Sequence, residues 1–239
     1  MDELKPNKVD YAALAAKGVA GAIPFAGGIV AEIIGALIPN QRVDRIVRFL
    51  EKLDTRVGRL ESEPVKAKLR QSNTIDLIED AFLQAARALS DERLVYLSVL
   101  LAGSITDDSL SYEESKRLLA ILSELNDVEV IILASHEGNR LPHRNPDFWE
   151  RHKAVLAPRA PTMGSSERER EDAAIHNSYR QHLVQLQLLK PTFRSPRRGE
   201  PPEFDDTTGM MKTSGYNLTV LGKLLLRRIE MAGSEVQQG

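Results

Sequence analysis

The chain reads as a mainly α protein, an amino-terminal helical hairpin and bundle followed by a carboxy-terminal part with a small β wing. Three observations predict this. Residues 42–60 carry apolar side chains at alternating spacings of three and four, the period of a helix with one buried face. Between 74 and 138 a series of helix-start and helix-stop residues divides the text into short helical pieces with short connections, the arrangement of antiparallel neighbours. From 190 to 215 the sequence KPTFRSPRRGEPPEFDDTTGMMKTSG is dense in turn formers and lies between a long helical stretch and a final apolar one, which suits a loop or wing.

The chain has 239 residues, enough for one large domain or two modest ones. We place the expected boundary at 110, giving an apolar segment with a helical bundle over 1–110 and a second region over 111–239. Apolar residues make up 42%, charged residues 28%, and the net charge is −2. This composition is that of a folded globular chain and exerts no global pull toward nucleic acid or lipid, so any such pull is local. The absence of cysteine excludes a disulfide framework, a thiolate zinc site and a cysteine nucleophile. The amino terminus, MDELKPNKVDY, lacks the basic start and immediate apolar run of a secretory signal. The expected location is the cytoplasm, with peripheral attachment to the inner face of the membrane if the first apolar segment engages lipid.

That segment, GVAGAIPFAGGIVAEIIGALIP at 18–39, holds a single charge, Glu32. Pro24 interrupts a helix there, leaving 25–38, which spans about 21 Å at ~1.5 Å per residue, short of the ~30 Å hydrocarbon layer. Gly27, Ala31 and Gly35 are four apart and form a small-residue face on which another helix can pack closely. Glu32 is costly in lipid unless paired. Two readings stay open: a buried helical hairpin, and a conditionally exposed or re-entrant membrane segment. In the second, Phe25, Ile29, Glu32, Ile33, Ile34 and Leu37 form the membrane or partner surface.

In the helix predicted over 42–60, Val43, Ile46, Leu50, Leu53, Val57 and Leu60 form an a/d stripe. Its other surface holds Arg42, Arg45, Arg48, Lys52, Arg56 and Arg59 against Asp44, Glu51 and Asp54, a surplus of +3. The stripe of cations is either a solvated face or a strip that meets anionic lipid. Two adjacent helix-pairing surfaces, this stripe and the small-residue face, point to a homo-oligomer.

Thr74 is the expected cap of a helix running to Leu89, with Ile78, Ala81, Phe82, Ala85 and Leu89 on the inner face. Ser90 begins the next, to about Ala102, where Gly103 stops it. A further helix covers 112–125. Asn126 with Glu129 makes a capping box for a helix ended by Gly138. A proline-rich loop follows, with one short helix at about 147–156. Ser166 with Glu169 repeats the capping box for a long helix over 167–189, on which Ile175, Tyr179, Leu183 and Leu186 are the expected buried stripe. A short strand from Tyr216 turns at Thr219 into the last helix, and 231–239 frays.

No catalytic constellation stands out: the nucleophile elbow, the phosphate-binding loop, the dinucleotide fingerprint and the zinc-protease motif are all missing. The chain is expected not to be an enzyme, with no cofactor and no small-molecule substrate identified. His136, His143 and His152, spaced by 7 and 9, match no metal-ligand pattern, so no metal site is expected and they read as surface histidines. The stretch 173–199 has no acid, while Arg180, Lys190, Arg194, Arg197 and Arg198 give it +5. Amides at Asn177 and Gln181 beside these cations suit base edges and phosphates. Asn177, Arg180, Gln181, Lys190, Arg194, Arg197 and Arg198 are therefore candidate DNA contacts.

Two resemblances add to this reading. HLVQLQLLKPTF, the 193–214 wing, and Tyr216, Leu218, Thr219 and Gly222 resemble the second half of a winged-helix domain. That resemblance implies a helix, a two-stranded wing and a closing helix, used for DNA or for protein contact. The layout of the whole chain is similar to helical bacterial proteins of the abortive-infection alpha group. These pair a Gly-rich apolar amino-terminal segment with text like Ile38, Pro39, Arg42, Asp44 and Arg45. This second resemblance implies a non-enzymatic role in phage defence, through growth arrest or cell death. The alternative is a winged-helix transcriptional regulator whose bundle serves dimerisation or sensing.

Overall fold

A computed structural model describes residues 42–57, 67–68, 71–107, 109–138, 142, 144–157, 162, 164–194, 201–204, 209 and 211–231. The apolar segment 18–39 lies outside them, as do Leu60, Arg59, His143, Arg197 and Arg198. Nine helices and one two-stranded antiparallel sheet occur among the described residues, so the chain is mainly α with a small sheet near its carboxy terminus. It divides into two compact units after Glu124, later than the 110/111 boundary read from the sequence.

The first unit contains α1 (Val43–Val57), α2 (Ser72–Arg87), α3 (Asp91–Thr106) and α4 (Tyr112–Glu124). The described members of the predicted stripe on α1 are all buried: Ile46, Leu50, Leu53 and Val57. Val47 and Phe49 join them, and Phe49 meets Phe82 of α2 edge-on at 5.7 Å. The buried face is thus wider than a coiled-coil seam and belongs to a globular core. It packs chiefly on α3 and also on α2, so the stripe is covered within the chain and asks for no second copy.

α3 is the central helix, with Leu94, Leu97, Leu100, Leu101 and Ile105 all buried and α1, α2 and α4 packed around it. Its near-continuous apolar text, LVYLSVLLA, is what a helix covered on several sides requires. The Ser90 side chain caps it by accepting from the Arg93 backbone N–H. Arg93 in turn donates to the carbonyl of Leu122 in the last turn of α4, where helical carbonyls lack intrahelical partners. α3 runs on through Gly103 to Thr106, three residues past the predicted stop. A helical glycine costs about 1 kcal/mol, whereas burying Ile105 returns about 1.5–3 kcal/mol, so continuation wins.

α2 corrects two expectations. It starts at Ser72 with Gln71 in the cap position, and Thr74 lies inside the helix on its buried side. It ends at Arg87, because Ala88 turns to ψ 133 and leaves the helical period; Leu89 is 92% exposed. On its outer side Asp76 accepts from Tyr112 at 2.7 Å and from Lys116 at 2.6 Å, and Lys116 reaches Asp80 at 2.8 Å. The bond from Lys116, then that from Tyr112, holds the Asp76 carboxyl below the usual carboxylate range. This ties α4 to α2, and α4, packed on α2 and α3 with Leu118, Leu119, Ile121 and Leu122 buried, belongs to the first unit.

The second unit runs α5 (Asp127–Ser135), α6 (Pro146–Arg151), α7 (Lys153–Leu156), α8 (Glu167–Gln185), β1 (Leu189–Phe193), β2 (Thr213–Leu218) and α9 (Val220–Arg228). Both capping boxes form, Asn126 with Glu129 and Ser166 with Glu169. The short helix expected near 147–156 is two helices divided at His152. α8 ends four residues before the predicted 189, because Gln187 adopts φ 60, a conformation a helix cannot continue through. Of the predicted stripe Leu183 and Leu186 are buried and Tyr179 is half-buried, but towards the start of the helix the inward side is rotated. Ile175 is 51% exposed, while Ala173, His176 and Leu183 are buried.

β1 and β2 pair antiparallel from Leu189↔Leu218 to Phe193↔Thr213, with an irregularity at Thr192/Phe193. A bridge between Phe204 and Met211 lies between the two strands in sequence. Thr219 then joins the hairpin to α9. Its hydroxyl lies 2.7 Å from the Gln187 carbonyl and 3.0 Å from that of Leu188, and it accepts from the Gly222 N–H. The Thr219 N–H donates to the Leu188 carbonyl.

Candidate functional site

The candidate nucleic-acid interface is built on α8 and the hairpin that follows it. α8 packs on α5 and β1 and leaves much of its circumference to solvent. Asn177, Gln181 and Gln185, four residues apart, form one exposed row. Lys190 and Arg194 are exposed on and just beyond β1. Arg194 lies 3.6 Å from Glu203, a solvent-exposed pair. Gln181 is tied to the sheet, donating through Nε2 to the Tyr216 hydroxyl at 3.3 Å.

Arg180 departs from the expected surface position. It is half-buried, and its Nη1 donates to His176 Nδ1 at 2.9 Å. His176, 4% exposed, can accept there only because its proton sits on Nε2, which donates to the Val155 carbonyl at 2.8 Å. Burial holds the Arg180 guanidinium below the ordinary arginine value, with the nearby Tyr216 working in the opposite direction. His136, just past α5, donates from Nδ1 to the Ile132 carbonyl at 2.8 Å, and its ring meets Tyr216 edge-on at 6.3 Å. Burial first, and the Arg180 charge as well, push the His136 imidazole down from its usual value. The expectation of an inert surface histidine fails at 136.

A buried acid of this region is engaged. Glu129 is 3% exposed; its Oε1 is 2.6 Å from His182 Nδ1 and its Oε2 accepts from the Asn126 N–H at 2.8 Å. Glu129 with His182, and His176 with Arg180, are therefore polar pairs along α8 that the sequence did not announce. The available signal was the excess of hydrogen-bonding side chains on α8, read as surface because their burial depends on α5 and α7.

In the first unit the basic stripe is partly spent on the fold. Arg45 donates to the Ala86 carbonyl at 3.3 Å, Arg48 pairs with Asp91 at 2.6 Å, and Arg56 donates to the Lys52 carbonyl at 3.3 Å. Arg42 is exposed, and Lys52 is half-buried. Phe25, Ile29, Glu32, Ile33, Ile34 and Leu37 lie outside the described residues, with Arg59, Arg197 and Arg198. Among the described residues no helix is long and apolar enough to cross a membrane, and no three His, Asp or Glu side chains converge to hold a metal ion. Comparison with protein-family models, with curated proteins and with solved structures finds no match.

Proposed function

We propose that the chain is a non-enzymatic effector of the abortive-infection kind, acting through its apolar segment 18–39 at an anionic membrane face or against further copies of itself. The observation that carries this reading is the junction at residue 42. Four residues after a 22-residue stretch with one charge, α1 begins, and the described part of its apolar face is buried in its own bundle while Arg42 stays exposed. A folded body thus carries a water-averse segment with an exposed cation at its base, where anionic headgroups attract it. The purified protein is expected to release dye from anionic vesicles. Changing Ile33 and Ile34 together to Asp should reduce release at least tenfold with the helical circular dichroism unchanged. Intact protein that neither binds nor permeabilises such vesicles overturns the reading. In cells, membrane recovery should depend on residues 1–40.

The exposed amide row of α8, followed directly by a hairpin with Lys190 and Arg194, supports a second reading, a winged-helix unit that reads DNA. Arg194, Arg197 and Arg198 would then contact phosphates. Changing all three to Ala should weaken every duplex alike and lower the log–log salt slope by about 3. Gln181→Ala should instead relax sequence preference. Absence of duplex retention at low salt, measured by fluorescence anisotropy, removes this reading.

A further inference from the structure

The second unit holds a cation that no carboxylate among the described residues is paired with. The Arg180 guanidinium is half-buried where α8 meets β2, and a guanidinium does not shed its proton at physiological pH. Removing such a charge from water costs several kcal/mol unless an anion compensates. Among the described residues its hydrogen bond is to a neutral acceptor, His176 Nδ1, with no carboxylate paired to it. Glu129, a buried acid of this unit, is held by His182 and by the backbone of Asn126. Around Arg180 the chain carries no Asp or Glu from 173 to 199.

The groups beside this cation are neutral and able to donate. Tyr216 accepts from the Gln181 amide, which leaves its own O–H to donate elsewhere. His176 and His136 each commit a ring N–H to a backbone carbonyl and so hold their rings in place without offering negative charge. Four separate elements, α5, α7, α8 and β2, thereby fix the orientation of groups around one fork with no carboxylate partner among the described residues. A planar fork of N–H donors, with the phenolic O–H that Gln181, the next residue along α8, bonds at 3.3 Å, supplies the kinds of donor an oxyanion takes.

From this arrangement we infer a binding site for a small oxyanion, the phosphate or carboxylate head of a small molecule, with Arg180 as its charge partner and the Tyr216 hydroxyl as its second donor. The half-buried position of Arg180 favours a compact head over an extended polyanion. The site does not rest on the membrane or the DNA reading, although Arg180 is one of the candidate DNA contacts and Tyr216 is bonded to another, Gln181. Among the residues that carry it, Arg180 is already tied to His176, so the fork is pre-set before the ligand arrives, which lowers the ordering cost of binding.

The test uses the full chain, with inorganic phosphate, glycerol phosphate and acetate as probes and sodium chloride at matched ionic strength as the reference. Phosphate or acetate should give a saturable calorimetric signal and raise the thermal midpoint by several degrees, and the stronger of the two identifies the head group. A larger response to glycerol phosphate than to inorganic phosphate would assign the site to a phosphomonoester. Arg180→Gln should abolish the response, Arg180→Lys should weaken it at least tenfold because the fork is lost, and Tyr216→Phe should weaken it severalfold while keeping the ring against His136. Wild-type protein supplies a readout that needs no variant. Among the described residues, Arg180 from α8 and Tyr216 from β2 are set against His136, and the half-buried Glu137 follows it in the chain. An anion on Arg180 cancels one of the two influences holding His136 down, so its titration midpoint, followed by NMR, should move up in phosphate but not in chloride. Responses equal to those in chloride, or a response that survives intact in Arg180→Gln, overturn the inference.

Discussion

Gly222→Ala should destabilise the second unit by about 3 kcal/mol or more, against the ordinary preference of a helix for alanine over glycine. A Cβ at 222 would stand 2.4 Å from the Leu188 carbonyl oxygen and 2.8 Å from Leu218 Cδ1. The Leu218 side chain can yield, but the carbonyl cannot. It accepts from the Thr219 N–H at 3.0 Å and lies 3.0 Å from the Thr219 hydroxyl, one residue past Gln187 at φ 60. Moving it would break the cap of α9 and the first pair of the sheet together. For a unit of roughly a hundred residues, that loss lowers the thermal midpoint by about 12–24 °C. Gly215→Ala is the control, because its added carbon meets only the Thr192 hydroxyl, at 3.3 Å. A Gly222→Ala midpoint within about 3 °C of wild type, for which a penalty under ~1 kcal/mol suffices, would show that the hairpin and α9 can slide apart freely.

The same junction shows what was legible in the sequence. Tyr216, Leu218, Thr219 and Gly222 are read as a strand turning into a helix, and the structure supplies a physical reason for three of them. Tyr216 takes the amide of Gln181, Thr219 caps α9, and Gly222 makes room for a carbonyl. The capping boxes at 126/129 and 166/169 and the cap at Ser90 were legible because their signal is confined to four residues. Burial towards the start of α8 was not. A period of three and four selects Ile175, but the position taken inward is His176, because a carbonyl on α7 and Arg180 satisfy both its ring nitrogens. Thr74 and Leu89 failed for a related reason. Each was assigned from a window of local spacing, whereas the ends of α2 follow from where the chain turns at Gln71 and Ala88. Arg180 likewise reads as one more cation in an acid-free run. Only the convergence of α5, α7 and β2 distinguishes it from Lys190 and Arg194, which stay in solvent.

Leu53→Asp should abolish the cooperative unfolding transition of the first unit or lower its stability by at least about 4 kcal/mol. Leu53 is 3% exposed within the face of α1 that packs on α2 and α3, so a carboxylate there is buried without a partner. Leu53→Met keeps the volume and should cost less than about 1.5 kcal/mol. Arg48→Ala, which removes a half-exposed ion pair to Asp91, should cost less than about 1 kcal/mol. The diagnostic quantity is the concentration dependence. If the stripe served a second copy, Leu53→Asp would first release folded monomers, and the wild-type urea midpoint would rise with protein concentration. Because the stripe is closed by helices of the same chain, that midpoint should stay constant over a hundredfold concentration range in circular dichroism, and the variant should unfold without passing through a folded monomer in sedimentation velocity. Self-association through 18–39 is untouched by this substitution. A wild-type midpoint that climbs with concentration, lost in Leu53→Asp while the helices remain folded, would place the stripe between copies rather than within one.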